Sequence, residues 1–370
     1  MRTHTELEHL CNEAERNLRC FYPATNAIRR ATHVRLQNGY IVRPFRNVYA
    51  RTAYWSTLNP AEQMRHITRT LSQQFPNRIF AGISAASMLH LDYSWSLHAD
   101  GCVFIASKTG NSKQAYRKLK RIIMPHPPIS TLVFHQNNNG IGMTLVEGAT
   151  TSNIVNNTSY GTDIVQITSP ARTLVDCGLK YPFAQSLPLF DSAMRQELTT
   201  AEQIIDICDD MQIDCGPIFR LMHYMNPLSE NGGESLCRAV IIEAGFVVPK
   251  LQRVFIDPDA PRKQYRVDFC WHTFDGRLIV LEYDGAQKYV NPEMTNRRSI
   301  QDVIHKEKER EDVLRKAGVT AIIRTTFDEV LVQTPLIQKL AKAGVPTAGS
   351  VPTFVIPSNT QRAVTACSLS

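Results

Sequence analysis

Two strand-like runs on either side of an Asp-Gly turn constrain this chain more than any other feature. The first is Tyr265-Arg266-Val267-Asp268-Phe269-Cys270-Trp271; the second is Leu278-Ile279-Val280-Leu281-Glu282-Tyr283-Asp284-Gly285, with Asp275-Gly276 between them. Such runs around Asp-Gly predict a β-hairpin. Strand side chains alternate between faces. Tyr265, Val267, Phe269 and Trp271 therefore share one face, and Arg266, Asp268, Cys270 and His272 the other. Glu282 and Asp284 also point one way, about 7 Å apart along the strand. Carboxylates among Leu, Ile and Val are costly unless they are paired or bind a metal.

The length of the turn decides what these carboxylates face. A two-residue loop pairs Asp268 with Tyr283 and turns the acids apart. A three-residue loop, Phe274-Asp275-Gly276, pairs Asp268 with Glu282 and puts Gly276 in the left-handed position that such loops require. The second register is the expected one. Two carboxylates so placed repel unless a hard cation lies between them. Mg²⁺ (or Mn²⁺) suits the place, because magnesium is held through one or two carboxylates plus water and substrate phosphate. Asp268 and Glu282, with Asp284, are thus the candidate metal ligands.

Residues 299–317 have helical spacing and stop at Gly318. At 100° per residue, Ile300, Val303, Ile304, Leu314 and Ala317 share a face, and Glu307, Arg310 and Glu311 fall within it. A core-facing helix carries such charges when they have partners or a task. A structural Glu–Arg network and a functional cluster both satisfy this. Glu234 opens another helix, which ends before Gly245. There a carboxylate also complements the helix dipole without any further task.

Four regions follow from the rest of the chain. Residues 1–55 read as a winged-helix-like DNA-binding unit: helices over 5–18 and after Pro23, then a hairpin over 40–49. Arg29, Arg30 and Arg35 belong to its helical part, and Arg43, Arg46 and Arg51 to its wing. Arginine suits phosphate contacts because its planar fork bonds two oxygens at once. A solvated basic surface is the competing reading. Residues 56–228 form a mixed α/β region with no visible chemistry. Its expected helices cover 60–75, 83–91, 114–123, 168–176 (Ser169 as cap, Pro170 in the first turn) and 199–211. A strand is expected over 103–106 and a loop over 136–140. The basic run Arg117, Lys118, Lys120 and Arg121 reads as a solvated helix face. Residues 229–345 run helix, strand, strand, helix, strand, and 346–370 form a flexible tail.

The net charge of +7 permits nucleic-acid binding without demanding it. No apolar run approaches the roughly 20 residues of a membrane span. The charged N-terminus lacks the apolar core of a signal peptide. The nine cysteines are scattered with no CxxC pair, which argues against a zinc or thioredoxin motif and fits a reducing, cytoplasmic setting.

With these residues in view, the C-terminal third resembles the very-short-patch-repair-like branch of the PD-(D/E)XK endonuclease superfamily. The matching pieces are Gly233-Glu234-Ser235, Arg266-Val267-Asp268-Phe269, the run from Glu282 to Tyr289, and Glu307-Lys308-Glu309-Arg310-Glu311-Asp312, followed by Leu314, Gly318 and the strand 321–324. The resemblance implies a restriction-endonuclease-like mixed sheet flanked by helices, with Glu234, Asp268 and Glu282 near a metal. The superfamily's usual Lys, two residues after the Glu, is Asp284 here, and Lys288 is the nearest basic substitute. Residues 1–210 loosely resemble proteins with an AbiEi-like, antitoxin-type N-terminus. Two functions stay open. One is a Mg²⁺-dependent DNA endonuclease, in which Lys288 acts electrostatically and Glu307 and Arg310 orient the site or contact phosphate. The other is an antitoxin-like DNA-binding regulator with an inactive nuclease-type domain and a cognate toxin or other protein as partner.

Overall fold

The computed structural model describes residues 4–110, 117–137, 140–147, 163–285 and 300–350. The fold is mixed α/β, and the chain divides into two units, Met1–Leu236 and Cys237–Ser370. The division falls inside the helix Gly232–Glu243.

In the first unit α1 (Thr5–Arg16) and α2 (Asn26–Gln37) precede a hairpin of β1 (Ile41–Phe45) and β2 (Val48–Arg51). Leu7, Cys11 and Ala14 repeat at helical spacing along α1 and bury against Phe21, Ile28 and Ile41. Helix α2 starts later than expected. Thr25 caps it, accepting a bond from the Ile28 N–H, while Phe21 bridges to Tyr49 just upstream. Pro23 therefore lies before the helix and not in its first turn.

A short helix α3 (Thr52–Trp55) leads to α4 (Pro60–Gln74), which opens with a reciprocal Asn59–Glu62 capping box. Helix α5 (Gly82–Met88) ends three residues before the expected limit, where His90 adopts a φ of 54°. A six-stranded sheet follows, in the order β5-β4-β3-β8-β6-β7. Its strands are β3 (Ile79–Phe80), β4 (Val103–Ser107), β5 (Leu119–Ile123), β6 (Ile129–Asn137), β7 (Gly140–Glu147) and β8 (Asp163–Thr168).

Two expectations fail in this sheet. Residues 119–123, expected to be helical, form β5 in parallel pairing with β4. The β-branched Ile122-Ile123 pair and the free edge of β4 outweigh the helix preference of the basic residues. The expected loop over 136–140 is mostly ladder, because Gln136 pairs with Ile141 and Asn137 with Gly140. Helices α6 (Pro170–Lys180), α7 (Phe183–Arg195), α8 (Ala201–Asp209) and α9 (Gly216–Tyr224) complete the unit. Ser169 caps α6, and a Thr200–Gln203 box caps α8.

Arg69 of α4 ties the N-terminal helices to this sheet. It donates to the Asn17 and Leu18 carbonyls and to Asp163 at 2.7 Å, while Arg19 and Gln73 also bond Asp163. Arg69 is buried.

The second unit holds β9 (Lys250–Ile256), β10 (Gln264–His272), β11 (Leu278–Asp284) and β12 (Val319–Thr326), in the order β12-β11-β10-β9. Helix α10 (Gly232–Glu243) crosses the boundary into it. Strands β9, β10 and β11 pair antiparallel. Helix α11 (Ile300–Lys316) then returns the chain so that β12 lies parallel to β11. Sequence reading missed β9, an edge strand whose Lys250, Val254 and Ile256 are exposed and whose apolar alternation is therefore weak. Helices α12 (Phe327–Val332) and α13 (Thr334–Ala343) follow. Of the expected tail, residues 351–370 lie outside the described residues. Val247 donates to the Pro346 carbonyl and Ala348 to that of Gly245, which pins 346–348. Among the described residues no helix is long and apolar enough to cross a membrane.

Two stability predictions follow. Arg69→Ala takes the buried partner from Asp163 and the side-chain donor from the Asn17 and Leu18 carbonyls, and breaking a buried pair costs about 3–5 kcal/mol; the expected result is a lower urea midpoint for the first unit. The second concerns Asp176 on α6, which is paired with Arg172 but has a buried Oδ2 without a hydrogen bond. Burial pushes its carboxyl up to about 6, against the pull of Arg172. The folded state then holds a proton that the unfolded state releases near pH 4. This contribution is fully present below pH 4 and is lost as pH rises through 6. Asp176→Asn should remove that slope, on the order of 2–3 kcal/mol between pH 4 and 7, as read by denaturation at several pH values.

Candidate active site

The site begins at the hairpin turn. Thr273 donates to the Arg277 carbonyl, Gly276 donates back to Thr273, and Gly276 has a φ of 80°. A three-residue loop therefore separates the strands, as the sequence leads one to expect. The ladder runs from His272↔Leu278 to Phe269↔Leu281. The ladder ends at that pair; carried one step on, its register would set Asp268 opposite Glu282. There the Asp268 carboxylate accepts the Tyr283 N–H at 2.8 Å. An aspartate oxygen thus bonds to the neighbouring strand and is fixed by backbone geometry.

Strand β12 lies on the other side of β11 and sets Arg324 beside Glu282 and Thr326 beside Asp284. Helix α11 packs Leu314 against Cys270 and Val280, with Ile322 beside them. One helical turn earlier it presents Arg310, which donates to Glu282 at 2.5 Å and to the Arg266 carbonyl. Arg324 reaches Glu307, Glu311 and Asp284. The charged face expected of this helix therefore does meet the strands, and Glu307, Arg310 and Glu311 all find partners there. Sequence reading missed Arg324. Its signal was a single arginine in an otherwise Val-Thr-Ile strand, at the alternation that faces Glu282.

The electrostatics are those of crowded acids. The Glu282 side chain is 13% exposed. Burial is the largest cause raising its pKa, Arg310 opposes the rise, and the Asp268 charge adds to it. The ion pairs set two guanidinium groups, Arg310 and Arg324, against Glu282, Asp284, Glu307 and Glu311, with Asp268 one strand away. Within these ion pairs among the described residues, four carboxylates share two guanidinium groups. Among the described residues no group of three or more His, Cys, Asp and Glu side chains is arranged to hold a metal ion. What the strands offer is a pair of hard oxygen donors, not a closed cage.

The remaining candidates are Glu234, Lys288 and the N-terminal arginines. Glu234 is buried in the first turn of α10, on the first unit's side of the boundary. Its oxygens accept bonds from the Glu230 N–H and the Asn231 amide, which is the capping part that a first-turn glutamate plays. Lys288 lies outside the described residues. In the N-terminal unit Arg29, Arg30, Arg43 and Arg46 are exposed. Arg35 is a correction: it is buried, bonds the Ala31 carbonyl and lies 3.9 Å from Glu8, so its fork is spent inside the unit. Arg51 is likewise held by Glu15.

Comparison of the chain with protein-family models, curated proteins and solved structures finds no match.

Arg310→Met tests the balance of the site. Removing the cation leaves Glu282 facing Asp268 and raises the Glu282 pKa further. The variant should lose about 1–3 kcal/mol at pH 7, discounted for the partial exposure of the pair. The deficit should shrink on acidification, because a carboxyl with a raised folded-state pKa favours folding below its unfolded pKa and loses that contribution as pH rises. Denaturation of wild type and variant at two pH values reads both effects.

Proposed function

We propose that the second unit is a Mg²⁺-dependent phosphodiesterase of the PD-(D/E)XK type, acting on DNA that exposed arginines of the first fifty-five residues help to hold. The observation that carries this reading is the meeting of Asp268 and Glu282 across adjacent strands beside an arginine-bearing helix. The order of elements supports it as well: α10, three antiparallel strands, α11, then a strand parallel to β11.

The donor set fits magnesium. Asp268 and Glu282 supply carboxylate oxygens, with Asp284 next on the same face, and magnesium accepts a site of one or two carboxylates completed by water and phosphate. A bound ion of this kind would activate water and stabilise the displaced phosphodiester oxygen. The chain's own residues have distinct tasks around it. The Tyr283 N–H fixes the orientation of Asp268. Arg310, anchored by the Arg266 carbonyl, opposes the rise that burial gives the Glu282 pKa and offers a guanidinium group to a phosphate oxygen. Arg324 gathers Glu307, Glu311 and Asp284 and so orders the face of the helix that looks onto the strands.

A second reading has its own support. Asp284 stands where the resemblance implies a lysine, and Arg310 and Arg324 already compensate part of the acidic charge. On that reading the unit is an inactive scaffold in an antitoxin-like DNA-binding regulator.

Calorimetric titration with Mn²⁺ and Mg²⁺ separates the two, with plasmid nicking assayed in the same buffers. The nuclease reading expects wild-type binding and nicking, both lost in Asp268→Ala and Glu282→Ala. Absence of metal binding in the wild type, with and without DNA, would sink it and leave the regulator.

A further inference from the structure

The helix opened by Ser169 and Pro170 has no part in the reading above. The N–H groups of a helix's first turn have no partner inside the helix. In α6 Pro170 brings none, the Arg172 N–H bonds the Ser169 hydroxyl oxygen at 3.4 Å, and the Thr173 N–H bonds the Ser169 carbonyl at 2.8 Å. That leaves the Ala171 N–H, which has no hydrogen-bond partner among the described residues although Ala171 is only 5% exposed. Ala171 lines a cavity of about 290 Å³. A bond from the Ser169 N–H to the Pro128 carbonyl brings the start of β6 alongside, and Ser130 lines the cavity from there. Ser130 shares a strand face with Leu132 and is 1% exposed, and its hydroxyl has no partner among the described residues either. Helix α8 supplies the facing wall with Gln203, Asp206 and Ile207, which spacings of three and four set on one side of it. The Gln203 side-chain oxygen is taken by the Thr199 hydroxyl and the Thr200 N–H. Asp206 is exposed, and its carboxylate forms no ion pair among the described residues.

A buried N–H left unpaired costs about as much as a lost hydrogen bond. Here it is joined by a buried hydroxyl at the same cavity, and both can donate. The helix end adds partial positive charge, so this part of the cavity suits a carboxylate. Asp206 makes the opposite demand: it repels a plain anion and calls for a cation. Ile129, Ile207 and the Pro170 ring give the remaining wall an apolar character. The volume lies just under the roughly 300–1,000 Å³ of small-molecule pockets, so the ligand has few heavy atoms. We infer that this cavity binds a small zwitterion, an α-amino acid with an aliphatic side chain. Its carboxylate takes the Ala171 N–H and the Ser130 hydroxyl, its ammonium faces Asp206, and its side chain lies against Ile129 and Ile207. A simple carboxylate brings nothing for Asp206, and a simple amine meets the positive end of the helix.

The test uses the full chain in EDTA, so it does not depend on any metal chemistry in the second unit. L-leucine, 4-methylpentanoate (the same skeleton without the ammonium) and 3-methylbutylamine (without the carboxylate) are titrated to about 10 mM, with binding read by saturation-transfer NMR. Wild type should bind L-leucine at least about tenfold more tightly than either analogue, the difference that one charge-assisted hydrogen bond supplies. Asp206→Asn should weaken L-leucine about tenfold and erase its lead over 4-methylpentanoate. Ser130→Ala should weaken L-leucine and 4-methylpentanoate alike, by about threefold or more. Asp206 is exposed, so its variant carries the test should Ser130→Ala fail to fold. Wild-type protein without saturable L-leucine binding would overturn the inference, and Asp206 would then be no more than a neighbour of the helix end. Equal binding of the three compounds, or undiminished L-leucine binding in Asp206→Asn, would overturn it as well.

Discussion

The pairing register of β10 and β11 is the constraint from which the rest of the second unit follows. Strand side chains have a period of two, so a slip of one residue would turn Glu282 and Asp284 to the opposite face and bring Leu281 and Tyr283 out in their place. The slip is prevented by a three-residue turn whose Gly276 takes a backbone conformation disfavoured for other residues. It is also prevented by burial, since Val267, Phe269, Ile279 and Leu281 are almost fully shielded. The acids are thus held in place by apolar neighbours that have no chemistry of their own.

Holding them there is expensive, and the structure shows how the cost is met. Glu282 sits against Arg310, Asp268 takes a backbone N–H, and Arg324 serves several acids at once. Replacing such a cluster with apolar residues of similar size is often neutral or stabilising. Such a cluster is therefore weak evidence for stability, which leaves room for the task proposed above. The first unit differs. There Arg69 and Asp163 close a network around carbonyls and an amide, which has the character of a structural tie.

How much of this was legible beforehand depended on how local the determining interaction was. The turn, the register of the hairpin, the inward charges of α11 and the cap at Ser169 all follow from residues close in sequence. Strand β5 did not, because a run of Arg and Lys reads as helix until β4 offers it an edge. Edge strand β9 was missed for a related reason, as half of its residues face solvent. The fate of Arg35 was hidden because its burial depends on Glu8 of another helix. Arg324 was legible in principle, but its meaning depends on lying beside Glu282 in a parallel pair formed across a helix.

The turn that sets the register is itself fastened. Arg277, which leaves it, donates to the Ala343 and Gly344 carbonyls at the end of α13. A few residues on, the chain bonds back to Gly245 and Val247 behind α10. A Cβ added at Gly344 would lie 2.6 Å from the Arg277 guanidinium, which would have to shift, and the residue's φ of 76° favours glycine. The last helix therefore works as a clasp on the hairpin. Fraying at that helix would take from Arg277 the two carbonyls it bonds, and so would loosen the turn from which the register of the acids is set.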